Sequence, residues 1–482
     1  MALHGRVRGE VAPASEMRDF SRKLGQNELS YYLPSRAYGL NDMVTRVIFR
    51  APPALVSQFR LQVVWAIIRG RNSLLACKID MAPGCYDEAR FIYTLPPSPK
   101  HALEEAGQAL TVHEIKTGPE FDADFITGRR KLSPLCLSRM DVARHREVSP
   151  GIDEFHGVHS PSHYYRRYLC TCKQHSGIFG RLRSARRTSP DGWLQAAALK
   201  IDFMNVQRRA IGAHAFPRIP SQATKQTLID IKFGGAQTAA LLAKCKSERA
   251  TLQNTVFALC NFAWIRTAEN HPELSAPKTL PMLFYTAISL RRHLAPIAPL
   301  SSSMLLALGY GNIVLPAFIP SSADSRATFW LRERSAQSQM RKQTQSPLLL
   351  GRAQVLNAER ARRAALARQD DEADGMLPSS LRAQAQQPPA SNGGGVPSVA
   401  LMGISYLGDL GTTYQPERYP SIEFLDSVGH SRKAKGGILL FTRSAGGCFS
   451  MVLEWDAAAF PPGLVEEFWG YFGGVHEFVL GN

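Results

Sequence analysis

Hydrophobic and polar positions alternate in a legible way over three parts of the chain. In the first, "PPALVSQFRLQVVWAIIRG", Pro53 suits the opening of a helix, and Leu61, Val64, Trp65 and Ile68 recur at helical spacing up to Gly70. "SLLACKID" and "EARFIYTL" then read as strands, so a helix feeds a sheet. From about Gly128 to Arg187 neither period holds, and the composition turns to Arg, His, Ser and Pro. A structureless stretch of that length is unusual inside a compact lobe. Pattern returns after Asp191. "TKQTLIDIKF" predicts a strand, "GGAQTAALLAKCKSERATLQNTVFALCNFAWIRTAE" two helices, and "TLPMLFYTAISL" and "GNIVLPAFI" two more strands. A polar segment over residues 334–397 holds one basic helix, "LNAERARRAALARQDDEAD", and the linker "QAQQPPASNGGGVPS". "SVALMGISYL", "GGILLFTR" and "CFSMVLEW" close the chain as strands, followed by the helix "GLVEEFWGYFGGV". Mixed helices and strands in this order predict an α/β fold.

A length of 482 residues exceeds what one hydrophobic core usually serves, which predicts two domains or one large two-lobed one. Residues 128–186 form the irregular basic segment and residues 334–397 the polar insert. Eight cysteines, several inside apolar runs, suit reduced buried thiols in a cytoplasmic protein. The first twenty residues have no apolar core of a signal peptide, and no run of about 18 apolar residues predicts a membrane span. A net charge of +17 raises the question of nucleic acid. Its placement argues otherwise: 17 Lys and Arg against 6 Asp and Glu lie between Arg129 and Arg218, with no zinc-finger spacing, RNP-type motif or recognition helix around them. A solvated basic segment is the plainer reading.

The chemistry is best approached through "ARRTSPDGWL", residues 185–194. Transferases that use H-x-x-x-D-G place a general-base histidine four residues before the Asp. Here Asp191 and Gly192 are in place, but Arg187 stands where the histidine would. Around this stretch the chain resembles the CoA-dependent acyltransferase superfamily, which includes chloramphenicol acetyltransferase, plant BAHD and fungal alcohol acyltransferases, and peptide-synthetase condensation domains. It looks most like fungal members. The resemblance rests on "RLQVVWAIIRGRNSLLACKI" as a first helix and strand and on "TLQNTVFALCNFAWIR" as the helix after the crossover. "SLRRHL" followed by "GYGNIVLP", and "GGILLFTRSAGGCFSMVLEW" as a closing hairpin, complete it. The BAHD signature D-F-G-W-G is absent, and "RYPSIEFLDS" occupies roughly its place.

The resemblance implies two similar α/β lobes, 1–222 and 223–482, with a tunnel at their interface. It implies acyl-CoA as co-substrate, no permanently bound cofactor, a small-molecule acceptor, no nucleic acid and a monomer. Arg187, Asp191, Gly192 and Arg291 fall at its catalytic positions, with Arg291 expected to pair with Asp191. Tyr310, Gly311 and Asn312 fall on its tunnel-lining strand, where CoA passes. An arginine has no lone pair to spare and a pKa above 12, so it cannot serve as a general base. Three readings stand open. Arg187 marks a weakened enzyme or a non-catalytic binding protein; the irregular segment before it departs from the native gene product; or "SPDG" is simply a turn. Other motifs carry less. Cys170, Cys172 and His175 lack a fourth metal ligand at zinc spacing, and "SNGGGVPS" has no lysine to cradle a phosphate. His101 begins "HALEE", with Glu105 rather than Asp at the acid position.

Overall fold

A computed structural model describes residues 19–38, 41, 43–82, 84–114, 135–139, 192–221, 223–274, 279–293, 305–321, 324–367, 398–472 and 479. The N-terminal part comprises β1 (Asp19–Lys23), α1 (Gln26–Tyr38), β2 (Met43–Arg50), α2 (Gln58–Arg71), β3 (Lys78–Asp80) and β4 (Arg90–Thr94). α3 (Pro99–Gln108), β5 (Leu110–Glu114) and β6 (Leu135–Arg139) follow. β4 lies between β1 and β3 in an antiparallel sheet, and β5 and β6 pair in parallel. Pro53 opens a single 3-10 turn rather than the helix, which starts after Ser57. The apolar stripe read from the sequence is only partly the buried one. Trp65 is buried, but Val64 is 50% and Ile68 38% exposed. Polar anchoring sets the helix's rotation instead. The Gln62 Nε2 donates to the Leu103 carbonyl at 2.8 Å and the Arg69 Nη1 to the Glu105 carbonyl at 2.9 Å. These bonds satisfy carbonyls of α3 and turn Trp65 and Ala66 onto Ala106.

α4 (Trp193–Arg209) ends the N-terminal part, and the C-terminal part begins with β7 (Gln226–Phe233), α5 (Gly235–Ser247), α6 (Leu252–Asn270), β8 (Met282–Ser289) and β9 (Leu308–Leu315). It continues through α7 (Ser325–Thr344), α8 (Leu349–Ala367), β10 (Ala400–Asp409), β11 (Glu423–Ser431), β12 (Ile438–Ala445), β13 (Cys448–Asp456) and α9 (Leu464–Gly470). Six strands form one mixed sheet in the order β7-β13-β12-β10-β8-β9, with β10 parallel to both neighbours. α6 is apolar on every side, which marks a helix buried on every side. Val256, Phe257, Cys260 and Trp264 are fully buried, and burial pushes the Cys260 thiol far up. Two of its polar groups find partners: Thr251 caps the Asn254 N–H, and Asn261 Nδ2 donates to the Pro316 carbonyl at 2.9 Å. The β12–β13 hairpin closes between Ala445 and Cys448 on Gly446 and Gly447, both at positive φ (55° and 75°). A two-residue hairpin turn of that kind requires left-handed backbone at both positions, so the "AGG" of the sequence is a turn instruction.

The segment from Arg334 corrects a polar-insert reading. Its first part is α7, with Ala336 and Met340 buried, and α8, whose Ala353 and Ala361 are buried. α8 packs against α1, where Ala361 joins Leu29 and Leu33. Residues 368–397 lie outside the described residues. Two further ties cross between the halves. β11 leaves the C-terminal part and pairs antiparallel with β2 along its whole length. α4 is clamped to α8 by Arg352, whose Nε and Nη2 meet the Asp202 carboxylate at 2.5 and 2.9 Å.

The Arg352 guanidinium holds the Asp202 carboxyl below the usual carboxylate range. A depressed folded-state pKa contributes stability above the unfolded value of about 3.9, and the contribution is lost as pH falls through the folded value. Asp202→Asn should therefore lower stability by about 1 kcal/mol at pH 7 and have little effect near pH 2, read as the difference between paired thermal melts.

Candidate functional site

Strand register divides the six-stranded sheet into two unlike faces. Phe284, Ile404, Leu440, Leu453 and Phe449 point to one side and form the main core with α5, α6, α7 and α9. The opposite face carries Tyr310 and Asn312 on β9, Tyr285 on β8, Ser405 on β10, Arg443 on β12 and Glu454 on β13. This polar face of the mixed sheet is partly covered by β11 and α1. Polar groups under partial cover are where binding and chemistry concentrate.

β9 is the edge of the sheet, and its outer backbone groups are taken by side chains. Gln343 accepts from the Asn312 N–H at 3.1 Å and donates to its carbonyl at 2.6 Å. Gln339 does the same for Val314, at 2.9 and 2.8 Å. Two carboxamides thus imitate a seventh strand and close the edge. Of the three residues predicted to line a cofactor passage, Tyr310 and Asn312 project to the polar face, while Gly311 faces the helices beside Gln343 and Ile288.

At the end of β9 the two halves meet. The Tyr31 hydroxyl of α1 and the Tyr310 hydroxyl share a short hydrogen bond, and Asn27 Nδ2 donates to the Leu308 carbonyl at 3.3 Å. The Arg360 guanidinium of α8 stacks on the Tyr310 ring, 4.0 Å from its centroid, and lies 5.1 Å from that of Tyr31. Burial pushes the Tyr310 phenol well above its ordinary pKa, so it is neutral and can donate. On Arg360 burial opposes the charge, the two phenols favour it, and the balance lies above the ordinary value. Tyr285 is 39% exposed, but burial pushes its phenol above the ordinary value, and Arg360, Tyr31 and Arg218 act on it as well. Its ring lies so close over β10 that a Cβ on Gly403 would stand 2.4 Å from it, which is why glycine is required there.

A second polar group occupies the same face nearer β13. His430 Nδ1 and Glu454 Oε1 are 2.7 Å apart, Lys433 Nζ contacts the other Glu454 oxygen, and the Ser431 N–H donates to it at 3.2 Å. All three titratable side chains are buried, and burial holds Lys433 below its ordinary value despite the carboxylate. Nearby, Arg443 and Lys232 both reach the Asp426 carboxylate at 3.3 Å. None of these residues carries a motif, and only register brings them together.

The predicted catalytic residues fall differently. Arg187 and Asp191 lie outside the described residues, as do Cys170, Cys172 and His175. Gly192 stands exposed at the start of α4, with extended backbone open to any residue and nothing within 4 Å of a would-be Cβ. Trp193 and Leu194 beside it are 78% and 65% exposed. Arg291 Nη2 donates to the Leu305 carbonyl at 3.2 Å. His101 serves its own helix: its ring Nδ1 is 2.7 Å from the capping Ser98 hydroxyl. Among the described residues no group of His, Cys, Asp and Glu could hold a metal, and no helix is long and apolar enough to cross a membrane.

No protein-family model matches the sequence, and no curated protein matches it. Solved structures do. The TRI3 trichothecene 15-O-acetyltransferase from Fusarium sporotrichioides superposes with a TM-score of 0.65 at 12% identity, over 96% of this chain and 95% of that one. The condensation domain of the Monacolin K polyketide synthase MokA gives 0.50 at 11% identity, over 96% and 98%. The fold is therefore the two-lobed α/β fold shared by chloramphenicol acetyltransferase-like acyltransferases and condensation domains. α7 and α8, which the sequence alone set aside as insert, are ordered helices of the C-terminal part.

Proposed function

We propose that this chain is a CoA-dependent acyltransferase of reduced activity, moving an acyl group from a CoA thioester to a hydroxyl or amine of a small metabolite. The observation that supports this best is the fold shared over 96% of the chain with an acetyltransferase. In the reaction the acceptor oxygen or nitrogen bonds to the thioester carbonyl carbon, the C–S bond breaks, and the acceptor's proton leaves with the CoA thiolate. Asp191 and Arg291 hold the loop, Tyr310 and Asn312 line the passage with Gly311 behind them, and Arg187 replaces the residue that would take the proton. Losing a general base costs about 10² to 10⁴ in rate, while positioning and binding survive. The protein works as a cytoplasmic monomer with acyl-CoA as co-substrate and no resident cofactor.

Arg187→His tests the reading. With acetyl-CoA and a panel of alcohols and amines, release of free CoA thiol should rise at least about 10²-fold over the native chain. The specific observation favouring a second reading is Arg187 itself, which suits a binding protein on the same scaffold. Acetyl-CoA binding measured by calorimetry that is unchanged in Arg187→His, with no gain in thiol release, would decide for that reading.

A further inference from the structure

The cluster where the halves meet holds a positive charge that no acid among the described residues compensates. Arg360 has no carboxylate partner among the described residues, and its Nη1 is buried without any hydrogen-bond partner there. Three other buried or half-buried cations meet acids, Lys433 with Glu454, Arg443 with Asp426 and Arg352 with Asp202, while the buried Arg332 donates to the Phe318 carbonyl. A buried charge is ordinarily paired, because desolvation without compensation is costly. What surrounds Arg360 instead are the phenols of Tyr31 and Tyr310, with Tyr285 part-exposed on the same side. Phenol hydroxyls can donate to an anion, and none of them can neutralise the guanidinium.

We propose that Arg360, with Tyr31 and Tyr310, is a receptor for a carboxylate on a small organic acid, which enters past Tyr285. Three features select a carboxylate over other anions. A single uncompensated cation is balanced by a single negative charge. The guanidinium lies against the Tyr310 ring, which leaves its edge to donate, and that edge matches the planar two-oxygen geometry of a carboxylate. The flanking rings are aromatic, so a flat organic acid gains apolar contact as well as charge. The site lies on the polar face of the sheet, yet it does not depend on acyl transfer: it is a binding site whether or not the chain turns over a thioester.

The test uses the full chain and benzoate as probe, with benzamide as its neutral isostere and inorganic phosphate as the competing anion. Calorimetry should show saturable benzoate binding, at least tenfold weaker binding of benzamide, and phosphate weaker than benzoate. Arg360→Met should weaken benzoate at least about tenfold, as expected for loss of a hydrogen bond to a charged group. If that variant does not fold, Tyr310→Phe, which keeps the ring and removes the donor, carries the test with a weakening of about tenfold. Benzoate binding unchanged in a folded Arg360→Met, or in Tyr310→Phe, overturns the proposal. So does phosphate binding tighter than benzoate, or no benzoate binding at all. No thioester is present, so failure here is independent of failure to transfer an acyl group.

Discussion

Glu454→Ala should lower the stability of the folded chain by about 3 to 5 kcal/mol, because it strips the counter-charge from a buried lysine. Lys433 is 6% exposed and His430 2%, so water cannot replace the lost carboxylate. For a chain of this length the melting temperature should fall by about 3 to 5 °C. The pH dependence identifies the cause. With its carboxylate gone, Lys433 sheds its proton on folding while the unfolded chain keeps it, so stability rises with pH. The deficit of Glu454→Ala should therefore narrow between pH 7 and about pH 10, the ordinary range of a lysine. Replacing both partners by apolar residues, Lys433→Met with Glu454→Leu, should cost far less than the single change. A single variant within 1 kcal/mol of the native chain at pH 7 would show that the network is not desolvated as its burial indicates.

Trp264→Ala is expected to be as damaging, at about 3 to 5 kcal/mol, for a different reason. The indole is fully buried on α6 and meets the Phe216 ring edge-on at a centroid distance of 4.7 Å. Phe216 in turn touches Phe460 and Phe468, so one side chain joins α6 to the chain's closing helix. Removing it leaves a cavity lined by rings that cannot collapse into it. Unlike Glu454→Ala, this loss should not change with pH, and thermal melts at pH 6 and pH 9 separate the two mechanisms. Trp264→Phe should recover about half of the loss; recovery no better than alanine would mean that the site tolerates no smaller ring.

What the sequence made legible follows from where local rules decide the structure. α6 announces itself by an apolar surface on every side, and the β12–β13 hairpin by its paired glycines. α8 was harder. "NAERARRAALAR" reads as a solvated helix because charged residues interrupt apolar positions that are nearly all alanine, yet Ala353 and Ala361 are enough to seat the helix on α1. Small residues bury by close approach and leave a weak hydrophobic signal. The rotation of α2 was misread for the opposite reason: polar bonds from Gln62 and Arg69 outweigh the exposed Val64 and Ile68. As for the site, "GYGN" pointed to β9, but nothing in it foretold that Arg360 and Tyr31 would arrive from distant helices. Such pairings span about 50 to 280 residues and arise only from tertiary packing. The single signal available was a tyrosine on a strand whose neighbours are glycines, which leaves its ring as the dominant surface on that stretch.

The pairing of β11 with β2 has a consequence for how the protein is made. Met43, Val47 and Phe49 of β2 emerge early and stay 36% or more exposed even after pairing. Their partner, Glu423–Ser431, is synthesised some 370 residues later. At about 5 to 20 residues per second the ribosome needs tens of seconds to deliver it. Throughout that interval the nascent first half offers a bare apolar edge to any other chain, which makes chaperone occupancy during translation the natural safeguard for its yield.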